Sequence, residues 1–120
     1  MKLTPGIWKK GNRGGRGLVK TRGTMNGMEK RYADYLYTLQ LAGEVLWYKF
    51  EGMKFRLADG AFYTPDFAVM LADCSIEFHE TKGLWEEAAR VRIKVASETF
   101  PFKFKAITRG KAGAWEVEEL

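Results

Sequence analysis

Residues 62–83, FYTPDFAVMLADCSIEFHETKG, decide the fold class, because they read as two short strands joined by a tight turn with polar groups gathered at the open end. Residues 62–71 are extended and apolar, entered through Thr64-Pro65, where proline keeps the preceding residue out of the helical region. Residues 72–75 supply turn chemistry, and residues 76–82 form the return strand, which Gly83 stops. Positions two apart on a strand share a face, so Glu80 and Lys82 project together while His79 points to the opposite side. Pairing of the two strands brings Asp66 beside them.

Working outward, residues 44–57 are rich in aromatic and branched side chains, with Gly52 as a break between two extended segments, and Asp59-Gly60 is a hairpin turn signal. Upstream, Met28, Tyr32, Tyr35, Leu36 and Leu39 recur three or four apart, which predicts an amphipathic helix over residues 25–41, capped by Thr24 or Asn26 and ended by Gly43. Downstream, helical spacing returns over residues 86–99, with Ala88, Val91, Val95 and Thr99 on one side and Arg90, Lys94 and Ser97 on another. Pro101 closes that helix, and residues 102–108 make a final strand. The order predicts an α/β fold with a mixed central sheet flanked by helices.

A chain of 120 residues, 46% hydrophobic and 29% charged, fits one compact domain. The single cysteine, Cys74, excludes an internal disulfide framework, and with the single histidine, His79, it excludes multi-cysteine and two-histidine zinc sites. No apolar run approaches a membrane span, and the basic N-terminal stretch lacks the apolar core of a secretory signal, so a cytoplasmic location is expected. The net charge of +5 is unevenly spread: residues 1–24 hold Lys2, Lys9, Lys10, Arg13, Arg16, Lys20 and Arg22 with no acid, whereas the remainder has 13 basic and 15 acidic residues. Six of the 13 glycines also fall in residues 1–24, which therefore read as a flexible basic arm on a domain of residues 25–120. Such an arm suits a polyanionic partner, because neutralised phosphates release condensed counterions.

Two carboxylates and one ammonium among Phe67, Val69, Ile76 and Phe78 are expensive to bury without an occupant. Asp66 and Glu80, with a main-chain carbonyl and waters, form a hard oxygen site suited to magnesium, with manganese as a substitute. Lys82 then orients or deprotonates an attacking water, or stabilises charge at the phosphorus; Glu29 on the first helix is a further candidate for the metal shell. The bland readings are a turn role for Asp66, a solvated ion pair for Glu80 and Lys82, and a helix-dipole role for Glu29.

Pro65-Asp66, thirteen residues, then Glu80-Thr81-Lys82, with Glu29 on an upstream helix, resembles the PD-(D/E)XK nuclease superfamily. The wider patterns Tyr63-Thr-Pro-Asp-Phe and Glu77-Phe-His-Glu-Thr-Lys-Gly resemble a small phage-borne branch of it. That resemblance spans residues 25–108 and implies a restriction-endonuclease-like core, magnesium-dependent cleavage of DNA, and Asp66, Glu80 and Lys82 as the motif residues. Small members of the superfamily include dimeric Holliday junction resolvases, so a homodimer acting on branched or double-stranded DNA is the expectation. In that reading Arg13, Arg16, Lys20 and Arg22 of the arm, Lys30 and Arg31 of the first helix and Arg90 and Lys94 of the second contact DNA. The alternatives are a nuclease on linear or flap DNA and a non-catalytic DNA-binding module of the same fold. Cys74 in its turn has no neighbour to activate it and reads as inert.

Overall fold

The computed structural model describes residues 23–83 and 86–120, and in them the alternation of helical and extended sequence resolves into two α-helices, seven strands and a single 3-10 turn at Lys111–Gly113. In chain order these are α1 (Gly27–Leu41), β1 (Val45–Phe50), β2 (Phe55–Ala58), β3 (Ala61–Tyr63), β4 (Phe67–Leu71), β5 (Ile76–Thr81), α2 (Glu87–Thr99), β6 (Lys103–Arg109) and β7 (Trp115–Glu119). The arm cations Arg13, Arg16, Lys20 and Arg22 lie outside the described residues. Among the described residues no helix is long and apolar enough to cross a membrane.

Asn26 starts α1 by accepting from the Glu29 main chain at 2.8 Å while Glu29 reaches back to the Asn26 main chain at 2.9 Å, a reciprocal cap that satisfies two otherwise orphaned donors. At the far end Gly43 takes φ +83°, a left-handed turn that glycine adopts without steric cost.

The main sheet has strand order β1-β4-β5-β6-β7, antiparallel except for the parallel β5–β6 pair, so it is mixed as the sequence predicts. The α2 helix supplies the crossover that a parallel pair requires. Alternation along the strands sends Phe67, Val69 and Ile107 to one face, where Tyr32 and Leu36 of α1 cover them. Ala68, Phe78 and Phe104 go to the other, under Ile93 and Ala96 of α2 and Phe55 and Tyr63 of the β2–β3 hairpin. Phe67, Phe78 and Phe104 are fully buried. Each contributes roughly 1.5–3 kcal/mol, which makes the three central strands a firm base for side chains at their ends.

Three local readings need correction. The single strand expected over residues 62–71 is two: Ala61–Tyr63 pairs with β2 in a separate two-stranded sheet, and Phe67–Leu71 joins the main sheet. Buried Pro65 has no N–H to give a ladder, so the chain breaks there and changes sheets. In α2 the buried residues are Ile93 and Ala96, while Val91 is 49% exposed. Ile93, the bulkiest aliphatic side chain of the helix, sets the inward face, which Ala88, Val91, Val95 and Thr99 do not define. Finally, 102–108 is not the last strand. Trp115–Glu119 pairs with β6, and its acidic, exposed residues hide it from any hydrophobic pattern while suiting it to a sheet edge.

Candidate active site

Pairing of Phe67 with His79 fixes the register of β4 on β5, and one further step along that register brings Asp66 level with Glu80. Both side chains are buried, at 7% and 8% exposure. They do not contact as an isolated charge pair. Each strand instead donates to the acid of the other: the Asp66 N–H donates to Glu80 Oε1 at 3.1 Å, and Thr81 donates to Asp66 Oδ2 through its N–H at 2.9 Å and its hydroxyl at 3.0 Å. The Tyr63 hydroxyl is a second donor to Glu80 Oε1, at 2.9 Å. One oxygen of each carboxylate is thereby fixed.

Lys82 Nζ stands 3.5 Å from Glu80 Oε2, with about a third of its side chain exposed, so the shared face expected for positions 80 and 82 is what the structure has. The Lys82 N–H donates to the Ile107 carbonyl at 3.0 Å, which ties the residue to β6 just past the end of β5.

Burial and the facing Glu80 charge push the Asp66 carboxyl up to about 7, against the restraint of its Thr81 hydrogen bonds, and the Glu29 charge adds to the rise. Burial raises Glu80 as well, with Lys82 and its hydrogen bonds opposing. Both acids therefore resist ionisation where they stand, a cost that a positive ion between them would relieve.

Glu29 is brought near enough for its charge to act on Asp66, yet its Oε1 accepts from the Asn26 main chain in the helix cap. Among the described residues no three His, Cys, Asp or Glu side chains stand together as a metal-holding group. What the chain offers is a two-carboxylate, all-oxygen set, a fit for a hard cation that keeps waters and takes phosphate oxygens, and no fit for zinc. Asp66 and Glu80 are the residues that would hold it.

His79 lies on the opposite sheet face, as alternation predicts. Its Nε2 faces Glu77 Oε2 at 2.7 Å and its Nδ1 faces the Tyr32 hydroxyl at 2.7 Å, while Lys105 Nζ reaches Glu77 at 3.0 Å. A carboxylate can only accept, so Nε2 donates to Glu77, and in the neutral ring Nδ1 accepts from Tyr32.

Of the expected DNA contacts, Lys30, Arg31 and Lys94 are exposed on their helices, and Arg90 is paired with Glu118 of β7 at 3.0 Å. Arg92, two residues on, acts instead on the Tyr63 hydroxyl through its charge. Reading by residue type missed Tyr63 and Thr81 as members of the site. Their signal was proximity: one lies three residues before Asp66 and the other directly after Glu80. No family model, curated protein or solved structure matches this chain.

Proposed function

We propose that this chain is a metal-dependent endonuclease of the PD-(D/E)XK type that hydrolyses DNA phosphodiesters on a restriction-endonuclease-like core. The observation that carries this reading is the cross-clamped carboxylate pair, Asp66 and Glu80, buried beside Lys82 at the ends of two central strands. A buried pair of acids with a lysine is costly to a fold that needs it only for stability. Magnesium or manganese, when bound, supplies Lewis acidity toward phosphate and a more acidic water. The chain's residues do the rest. Asp66 and Glu80 would hold the ion through the oxygens their clamps leave over, Glu80 Oε2 exchanging its 3.5 Å ion pair with Lys82 for the metal. Lys82 would then donate to a water or a phosphate oxygen, where it stabilises negative charge developing at phosphorus. Glu29 strengthens the negative field that favours a cation.

The substrate we propose is branched DNA, a Holliday junction resolved by a homodimer in the cytoplasm. One chain brings one carboxylate pair, and a four-way junction needs two paired nicks. The cations of residues 1–22, with Lys30, Arg31 and Lys94, supply phosphate contacts, and Arg90 joins them only by leaving Glu118. The test is cleavage of a synthetic four-way junction, a flap and a linear duplex with and without magnesium. Junction cutting that requires the metal and falls at least about a thousandfold in Asp66→Asn and Lys82→Ala is the expected result, by comparison with loss of groups acting at a reaction centre. Equal cutting of linear duplex removes the junction assignment and keeps the nuclease. A second reading, a non-catalytic DNA-binding module, is favoured by the donors that already engage both acids, Tyr63 and Lys82 on Glu80 and Thr81 on Asp66. It predicts junction binding that survives both substitutions, with no product at any metal concentration.

A further inference from the structure

Tyr63 belongs to neither of the strands that carry the acids. It ends β3, in the two-stranded sheet that packs beside α2, and its ring is buried at 7% exposure against Phe104, with centroids 6.4 Å apart. Only its hydroxyl leaves the apolar cluster, donating to Glu80 Oε1 at 2.9 Å. The terminal torsion of a glutamate is broad, so the single Asp66 N–H bond to that oxygen leaves the carboxylate free to swing. Two donors from different directions, Asp66 N–H and Tyr63 hydroxyl, converge on one oxygen and fix the plane, which leaves Oε2 facing Lys82.

From this geometry we propose that Tyr63 is a positioning residue for the metal site, setting the orientation in which Glu80 presents Oε2, and that it ties the seating of the β2–β3 hairpin to that orientation. The proposal rests on the metal-site reading above. The ring packs among apolar side chains, and the hydroxyl is the part of Tyr63 that reaches the acids.

The test measures manganese binding by calorimetry on the full chain and on its Tyr63→Phe, Glu80→Gln and doubly substituted forms. Loss of a group that orients a metal ligand weakens affinity about 10- to 100-fold, so Tyr63→Phe is expected to bind manganese that much more weakly and to regain cleavage as manganese is raised. Because Tyr63 acts through Glu80, the substitution is expected to add nothing in the Glu80→Gln background. Unchanged affinity in Tyr63→Phe, or an equal loss in both backgrounds, overturns the proposal. No manganese uptake by the unaltered chain overturns the metal-site reading along with it. Should Tyr63→Phe not fold, magnesium titration of the unaltered chain decides by nuclear magnetic resonance. Tyr63 ring signals that shift and saturate with the metal support the inference, and signals that stay fixed through saturation reject it.

Discussion

Burial and the facing Glu80 push the Asp66 carboxyl up to about 7, so between its ordinary range near 4 and neutrality the folded chain keeps a proton there that the unfolded chain has released. Folding binds the proton in that window, and stability therefore falls as pH rises through it. In metal-free buffer Asp66→Asn, which has no charge to pay for, should melt roughly 4 °C or more above the unaltered chain at pH 8, a shift equivalent to about 1 kcal/mol in a domain of this size. At pH 4 the two should melt together. A variant that melts below the unaltered chain at both pH values would show that the charged form is the one the fold prefers. At this scale the sequence was readable where chemistry repeats in short spacing: positions 66, 80 and 82 meet as their strand parity requires. Proximity in the sequence placed Tyr63 and Thr81 near the acids, but which oxygen each hydroxyl meets is set by how two strands and a hairpin dock.

The elements themselves were legible where hydrophobic period is strong. The α1 helix with its Gly43 stop and the turn between β4 and β5 follow from residue spacing, whereas the cap was narrowed only to Thr24 or Asn26, and the structure has Asn26. The division of β3 from β4 was not legible, since Pro65 in an apolar run fits both a strand entry and a change of sheet. Between elements, the chain of contacts from Tyr32 through His79 and Glu77 to Lys105 fastens α1, β5 and β6 together on the face away from the acids. Burial works to raise the Glu77 carboxyl, but hydrogen bonds from His79 and Lys105 outweigh it and hold it below its usual range. The stability it adds is present above that range and is lost as pH falls below it. His79→Ala leaves the buried Tyr32 hydroxyl without its partner and the Glu77 carboxylate with Lys105 alone, and should cost about 2 kcal/mol in urea unfolding at pH 7. A loss below about 0.5 kcal/mol, the ordinary effect of a surface change, would mean that α1 is held by its apolar face alone.

Across the whole molecule the charge is segregated. The seven cations of residues 1–22 stand against a domain whose β7 edge carries Glu116, Glu118 and Glu119, all exposed. DNA is therefore expected to approach away from that edge and to be gripped by the N-terminal segment. Removal of residues 1–22 should weaken junction binding and flatten its salt dependence, each lost phosphate contact lowering the slope of log affinity against log salt by about 0.9. Fluorescence anisotropy between low and moderate salt measures this, and an unchanged slope would place the phosphate contacts on the domain. The exposed Cys74 sits in the β4–β5 turn, at the opposite end of those strands from Asp66 and Glu80, roughly 17–20 Å away by the rise of a five-residue strand. As the sequence's single thiol it accepts one maleimide dye at one defined spot. The chain thus carries its own anchor for a fluorophore, close enough to sense labelled DNA by energy transfer and far enough not to obstruct it.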